Sequence, residues 1–161
     1  MAVRLCKAAL VATVALLFLL FAFGNLTDYG SNRAFVQHVL SMDTIFPDST
    51  LRWRAITDPG LQTAAYWLII AWELATGLVL AVATVRLVAA SRDAGAFAAA
   101  KPVAVAGLTL GLLLYGLGFV AVGGEWFAMW QSHDWNGLDG ATRFIVLGGV
   151  VLLVLLAPDD R

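Results

Sequence analysis

Long apolar stretches with almost no charge alternate with shorter polar segments along this chain. A helix needs about 20 mostly apolar residues to cross the hydrocarbon core of a bilayer. Four stretches reach or approach that length: residues 8–26, 64–85, 103–122 and 142–157. The pattern predicts an all-α membrane protein, a bundle of four transmembrane helices in a single domain spanning residues 1–161. The two longer connections, residues 27–57 and 123–139, are its predicted outer loops.

Helix-boundary signals flank these stretches. Asp58 followed by Pro59 is typical of an N-cap and a first helical position, and it predicts the start of the second helix. Pro102 fits the first turn of the third helix, and Asp139 is the predicted N-cap of the fourth. The pair Gly123-Gly124 is predicted to end the third span. The fourth span is short, so we expect the side chain of its Arg143 to extend towards the interface.

The outer loops carry patterns of their own. Apolar residues recur at helical spacing from Phe35 to Phe46, which predicts a short amphipathic helix over the bundle. Ser31 or Asn32 is its predicted cap, and Pro47 is its predicted end. The second loop holds three of the six tryptophans. We predict that both loops fold together as an aromatic cap on the outer face.

Composition supports a membrane protein and excludes other classes. The 161 residues are 61% hydrophobic and 13% charged, with a mean hydropathy of +0.85. Soluble domains are about 45–50% apolar and about 25% charged, so lipid is the expected solvent and the bilayer the expected partner. A net charge of −1 gives no electrostatic case for binding nucleic acid. The single cysteine, Cys6, excludes an intrachain disulfide framework.

Positive charge predicts the orientation, because cytoplasmic loops are enriched in Lys and Arg. One side of the predicted bundle carries Arg4, Lys7, Arg86, Arg92, Lys101 and Arg161. The longer loops opposite carry Arg33, Arg52, Arg54 and Arg143. We therefore expect a multi-pass protein of the cell inner membrane with both termini cytoplasmic. A cleaved signal peptide is the alternative for the first stretch, but the run is long and three more spans follow.

Three segments resemble a bacterial family of small integral membrane proteins. They are NLTDYGSNRAFVQHVLSMDTIFP (residues 25–47), WRAITDPG (residues 53–60) and GGEWFAMWQSHDWNG (residues 123–137). The resemblance extends over nearly the whole chain, and the last segment is the most specific. It implies a four-span bacterial inner-membrane protein and implies no activity, cofactor or catalytic residue.

Glu73 is the only acidic residue well inside a predicted span, and its depth along the second helix places it near the bilayer middle. An ionisable group there is costly and normally has a partner. With Thr76 and Tyr115 it forms a candidate intramembrane polar site, in which Tyr115 is the expected hydrogen-bond partner. The site either binds a proton, a cation or a ligand, or fixes helix packing only. Gly107 and Gly111 predict close approach of the third helix to the second.

A second candidate site is the outer cap. Its predicted binding surface comprises Trp53, Arg52, Arg54, Glu125, Trp126, Met129, Trp130 and Trp135. The simpler interpretation is an aromatic belt at the membrane interface. The alternative is a surface that contacts a partner protein, a second copy of the chain, or a lipid-like or quinone-like ligand.

Haem or copper binding is a weaker possibility. Two imidazoles and two thioethers, from His38, Met42, Met129 and His133, fall outside the predicted spans at four-residue spacings. No haem-attachment signature is present, and no cofactor is predicted.

The function classes that remain are three. The first is a non-enzymatic binding or accessory subunit that uses its periplasmic cap. The second is a small oligomeric transporter or proton- or cation-coupled unit centred on Glu73. The third is a haem- or copper-binding redox subunit. No catalytic triad, phosphate loop or dinucleotide motif indicates an enzyme.

Overall fold

The computed structural model describes residues 1–158, which form α-helices with short connections and no strand. The helices are α1 (Ala2–Thr27), α2 (Tyr29–Ser41), α3 (Pro59–Ala89), α4 (Ala94–Leu113) and α5 (Leu138–Leu156). α4 continues directly into a π-helical segment, Leu114–Trp126. Single 3₁₀ turns lie at Arg52–Arg54 and Met129–Gln131. Arg161, which entered the prediction of orientation, lies outside the described residues.

Four of these helices are long and apolar enough to cross a membrane: α1, α3, α4 with its π-helical extension, and α5. Their buried faces meet in one core, which includes Val11, Phe18, Leu80, Leu108 and Leu155. Their outward faces carry large exposed apolar side chains, such as Leu16, Val82, Val85, Leu117, Val146 and Leu153. An apolar surface on every side of a bundle is suited to lipid. The predicted four-helix membrane bundle is confirmed.

The helix starts agree with the sequence only in part. Asp58 caps α3 as predicted, because its Oδ1 accepts a hydrogen bond from the Leu61 amide at 2.8 Å. α4 begins earlier than predicted, at Ala94, where the Asp93 carboxylate accepts from the Ala96 amide at 2.6 Å. Pro102 therefore lies inside α4, and its predicted place in the first turn is wrong. The alanine-rich segment before Pro102 has high helix propensity and extends the helix.

Two further boundary predictions are wrong. Gly123-Gly124 does not end the third span, because the backbone widens into π-helical winding and continues to Trp126. The Phe127 amide closes that winding by bonding to the Val122 carbonyl at 3.0 Å. Asp139 is not the N-cap of α5, since Gly137 holds that position and Asp139 lies in the first turn.

The helix of the first outer loop is present but begins and ends earlier than predicted. α2 starts at Tyr29, and Asp28, the single residue between α1 and α2, is its N-cap in place of Ser31 or Asn32. It ends at Ser41 rather than near Pro47, because Met42 adopts a left-handed backbone conformation with a φ of 51° that turns the chain.

Glycines allow the helices to approach closely, as predicted for Gly107 of the third span against the second. An ideal Cβ at Gly107 would lie 2.6 Å from Leu80 Cδ2 of α3. A Cβ at Gly77 would lie 2.8 Å from Leu19 Cγ and 3.1 Å from the Leu19 backbone nitrogen of α1. Small residues at such contacts are a common means of helix association in membranes.

One end of the bundle holds the N-terminus, the C-terminal end of α5 and the α3–α4 turn. Arg4 Nη1 donates to the Ser91 carbonyl at 3.0 Å. Lys7 Nζ donates to the carbonyls of Ala157 and Pro158, which follow the C-terminal end of α5, at 2.5 and 3.3 Å. A cation at that end also complements the helix dipole. α2 and both long loops therefore lie at the opposite end.

Candidate functional site

Glu73 is almost completely buried, with 3% of its surface exposed. Its Oε2 accepts a hydrogen bond from Asn25 Nδ2 of α1 at 2.6 Å. Tyr66 lies two turns before Glu73 on α3, on the side towards the outer loops. Its hydroxyl donates to the Asn25 backbone carbonyl at 2.8 Å. Asn25 thus joins the carboxylate and the phenol of α3 to the end of α1.

The depth of Glu73 differs from the one expected. Asn25 lies in the last turn of α1, which ends at Thr27. Gly140 and Ala141, which line the same cavity as Glu73, lie in the first turn of α5. Glu73 is therefore level with the cap-side ends of α1 and α5, not with the middle of the bundle. The expected depth was measured from the end of the predicted second span alone. α3 extends beyond the end of α1 and packs along α2, so a residue near the middle of α3 lies near the end of α1.

Glu73 faces a cavity of about 310 Å³ at the cap end of the bundle. α1 and α5 form two of its walls, α3 and the π-helical segment form the back, and α2 covers it. Six aromatic side chains line it: Phe21, Phe35, Tyr66, Tyr115, Phe119 and Phe144. Its polar side chains apart from the tyrosines are Asn25, Asn32 and Glu73, and no Lys, Arg or His of residues 1–158 lines it.

The gap between α1 and α5 is bordered by glycines. Gly24 on α1 and Gly140 on α5 both line the cavity, and an ideal Cβ at either position meets no atom within 4 Å. Leu20, one turn below Gly24, is exposed on the outside of α1. The cavity is therefore open on the lipid-facing side, near the cap end of the bundle.

A second cavity of about 180 Å³ adjoins the first, and the two share a wall formed by Phe35, Val36, Ile69 and Phe119. Its lining is almost entirely apolar and comes from α2, α3, the π-helical segment and the start of the second outer loop. Of these two cavities, only the first is therefore lined by a carboxylate, that of Glu73.

The predicted polar site is only partly assembled. Tyr115 lines the Glu73 cavity, and its ring packs against Phe144 with the centroids 4.8 Å apart. Within residues 1–158 no hydrogen bond joins Tyr115 to Glu73; the donor to Glu73 is Asn25. Thr76 is fully buried below the cavity rather than lining it, and its Oγ1 has no hydrogen-bond partner among the described residues.

The two outer loops fold together, as predicted. Met42 and Ile45 of the first loop pack with Phe127 and Ala128 of the second in a buried apolar cluster. The hydroxyls of Thr44 and Ser132 are hydrogen-bonded at 2.8 Å across the same junction. The cap is thus an ordered layer built from both loops.

Arg54 lies at the centre of the exposed aromatic surface of the cap. Its guanidinium carbon is 5.3 Å from the centroid of Trp53 and 4.8 Å from that of Trp126. The two indoles meet edge to face at 5.9 Å. Arg54 Nη1 also donates to the Trp126 carbonyl at 3.2 Å, which joins the first loop to the second. Glu125 is exposed beside this group.

The other predicted cap residues have different surroundings. Trp130 is half exposed and meets Phe46 edge to face, with the centroids 5.8 Å apart. Trp135 stacks on the His38 ring at 4.4 Å. Arg52 Nη1 donates to the Met42 carbonyl at 3.2 Å and so holds the chain after α2. Met129 is buried inside the cap and is not part of its surface.

The four candidate metal ligands differ in their surroundings. Met42 and Met129 are both buried, and Met129 Sδ accepts from the Gly137 amide at 3.4 Å. The His133 side chain is fully exposed and its Nδ1 lies 2.8 Å from Asp134 Oδ1. His38 Nδ1 lies 2.9 Å from Asp43 Oδ2. Haem or copper binding by these residues stays the weaker alternative, which spectroscopy tests.

Asp134 also acts on the protonation of His133. The hydrogen bond to its carboxylate, followed by its negative charge, raises the pKa of His133 above the ordinary value. This effect is at the surface of the cap and does not involve the cavity.

Comparison with known proteins identifies the family. Residues 3–158 match the model of a family described as "Predicted small integral membrane protein (DUF2165)". The chain belongs to this family. No curated protein and no solved structure matches it. Membership and the four apolar helices establish a small multi-pass integral membrane protein in contact with the lipid bilayer. The family description assigns no activity.

Sequence analysis missed Asn25, Tyr66 and Asn32 as members of the site. Asn25 begins an Asn-Leu-Thr sequence at the end of an apolar stretch, which attracts attention as a glycosylation pattern rather than as a hydrogen-bond donor. A usable signal was present, because a buried carboxylate needs a donor. Asn25 is the amide side chain at the end of the first apolar stretch.

Proposed function

We propose that the protein is a non-enzymatic binding or accessory protein of the bacterial inner membrane, and that its periplasmic cap contacts a partner protein or lipid. The observation that carries this proposal is the exposed group formed by Trp53, Arg54 and Trp126. Trp53 is 72% exposed, although it stands on an ordered turn. A large aromatic residue fixed in an exposed position is suited to a contact surface.

The chemistry of this group favours binding. Trp and Arg are enriched at the energetically dominant positions of protein interfaces. Arg54 is held by two indoles and by the Trp126 carbonyl, so little side-chain freedom is left to lose when a partner binds. Three partners are candidates: another membrane protein, a second copy of the chain, or a lipid surface.

The proposal places the cap in the periplasm and both termini in the cytoplasm. Its support is the clustering of Arg4, Lys7 and Arg92 at the end that holds the N-terminus, the C-terminal end of α5 and the α3–α4 turn. Fusions test this orientation. A C-terminal green fluorescent protein should fluoresce, whereas alkaline phosphatase inserted after Pro47 should be active; the reverse pattern would show that the cap is cytoplasmic.

Site-specific photocrosslinking tests the contact. A photoreactive amino acid at Trp53 in living cells should give one discrete adduct, whose mass separates a partner protein, a homodimer and a lipid. Leu153 is the matched control, because it is similarly exposed but lies on the lipid-facing side of α5. Adduct formation at Trp53 that equals the Leu153 control in pattern and yield would refute the proposal.

A small oligomeric transporter centred on Glu73 is the second candidate, favoured by the buried carboxylate in an open cavity. The core below the cavity argues against a path through one copy, because it is closed by Phe18, Leu80 and Leu108. Transport would then need an interface between copies. Cation-dependent flux in proteoliposomes that disappears in Glu73→Gln would establish it, and flux unchanged by that substitution would exclude it.

A further inference from the structure

The Glu73 cavity has a combination of groups that the proposed contact surface of the cap does not use. One carboxylate is surrounded by six aromatic rings, and the two amide side chains are neutral. No basic side chain of residues 1–158 lines the cavity, so the carboxylate has no positive partner there. Aromatic faces and a carboxylate together attract an organic cation, and water exclusion strengthens both effects.

Asn25 positions the carboxylate for such a ligand. It donates to Oε2 of Glu73 at 2.6 Å, and Oε1 accepts no hydrogen bond from any described residue. The amide therefore fixes the orientation of the carboxylate and leaves one oxygen for a further partner. A buried carboxylate is stabilised most by a cation that also fills the surrounding space.

Four of the aromatic side chains that line the cavity also pack against one another. Tyr115 packs against Phe21 and Phe144, with ring centroids 6.3 and 4.8 Å away, and against Phe119 at 5.1 Å. Phe21 and Phe144 in turn meet edge to face at 4.6 Å. Rings packed in this way keep their positions, so their faces are available to a ligand without reorganisation.

The shape of the cavity indicates the size and the route of the ligand. A volume of about 310 Å³ suits a small substituted ammonium group rather than a bare metal ion. Gly24 and Gly140 leave the gap between α1 and α5 open to the lipid side. A ligand can therefore enter as a free ammonium compound or as the headgroup of a lipid.

We propose that the cavity at the cap end of the bundle binds an organic ammonium group, which pairs with Glu73 and packs against the surrounding aromatic rings. The site is separate from the cap surface formed by Trp53, Arg54 and Trp126, so either can fail without the other.

Calorimetry on the full-length protein in uncharged detergent tests the proposal with choline as the probe. The control compound is 3,3-dimethylbutan-1-ol, which has the same shape as choline but carries no charge. Choline should bind at least about tenfold more tightly than the alcohol, since a desolvated cation–π contact alone has that magnitude. Equal binding of the two compounds, or no binding of choline, would overturn the proposal.

Three variants locate the site. Glu73→Gln should weaken choline binding by at least about tenfold and leave the alcohol unaffected, because it removes the charge and keeps the shape. Gly140→Leu should weaken both compounds by filling the entrance, where its Cβ meets no neighbour. Asp48→Asn removes an exposed carboxylate of the first outer loop, outside both sites, and should change neither. Gel filtration and circular dichroism establish that each variant folds; a folded Glu73→Gln variant that binds choline normally would refute the site.

The source of the ammonium group is distinguished in nanodiscs. Choline binding is compared in phosphatidylglycerol discs and in discs that also contain phosphatidylethanolamine. If the natural ligand is a headgroup, the second lipid should compete and weaken choline binding. If it is a free ammonium compound, binding should be the same in both. Either result supports an ammonium site, whereas absence of choline binding in phosphatidylglycerol discs contradicts it.

Discussion

The contact of Gly77 with α1 allows a quantitative test of the packing. In Gly77→Ala the new Cβ would lie 2.8 Å from Leu19 Cγ and 3.1 Å from the Leu19 backbone nitrogen. Carbon atoms prefer separations of about 3.5–4.0 Å, so α1 has to withdraw by roughly 0.5–1 Å. A backbone atom cannot yield by changing rotamer, and overpacking of this kind costs about 1–3 kcal/mol.

The matched control is Gly149→Ala on α5, where an added Cβ meets no atom within 4 Å. Replacing glycine by alanine inside a helix stabilises it by about 0.5–1 kcal/mol, and this gain applies to both variants. The difference between the two variants therefore isolates the contact, and we expect Gly77→Ala to be less stable by about 1–3 kcal/mol. Reversible unfolding in mixed micelles with increasing dodecyl sulfate, followed by circular dichroism, measures it. Equal stability of the two variants would show that α1 and α3 are not in close contact at Gly77.

Three further predictions concern the site and the cap. Asn25→Leu should destabilise the protein by about 1–3 kcal/mol in the same unfolding assay, because Glu73 loses its donor, whereas Asn32→Leu, whose amide bonds only to the exposed Asp28 carbonyl, should have a smaller effect. Asp134→Asn should lower the pKa of His133 towards the ordinary histidine value in a ring-proton NMR titration, since the raised pKa depends on that carboxylate, and an unchanged pKa would contradict the contact. The purified protein should show no haem band and no stoichiometric copper by elemental analysis; either signal would support the redox alternative.

The membrane bundle could be predicted from the sequence because each spanning helix must satisfy its own backbone and present apolar side chains to lipid. The N-cap of α3 could also be predicted, because it is a local contact in which Asp58 accepts from the amide three residues later. The start of α4 was missed because a run of apolar residues marks the membrane segment and not the whole helix. The helix begins at Ala94, nine residues before the predicted span, which starts at residue 103. Pro102 is a typical first-turn residue and suggested that boundary, but the N-cap of α4 is Asp93.

The polar site could be predicted only in part, since it depends on relations between helices. Glu73 was recognisable because a lone acid in an apolar stretch is costly. Its hydrogen-bond partner could not be recognised, because the choice between Tyr115 and Asn25 depends on how far α1 is shifted along its axis relative to α3. That offset is set by the close contact at Gly77 and by the extra length of α3, and neither distance is encoded in the spacing along one helix.

The cap and the cavity share one element, α2, and this connection bears on how the protein works. Phe35 of α2 lines the cavity, and its ring packs against Trp135 of the second loop at 6.2 Å. Trp135 stacks in turn on His38, one turn further along α2. A partner that displaces the second loop would therefore act first on Phe35 and so on the space above Glu73. A ligand in the cavity, conversely, would fix Phe35 and the loop packed on it. Thermodynamic linkage requires these effects to be equal, so crosslinking at Trp53 should respond to choline if both sites are used.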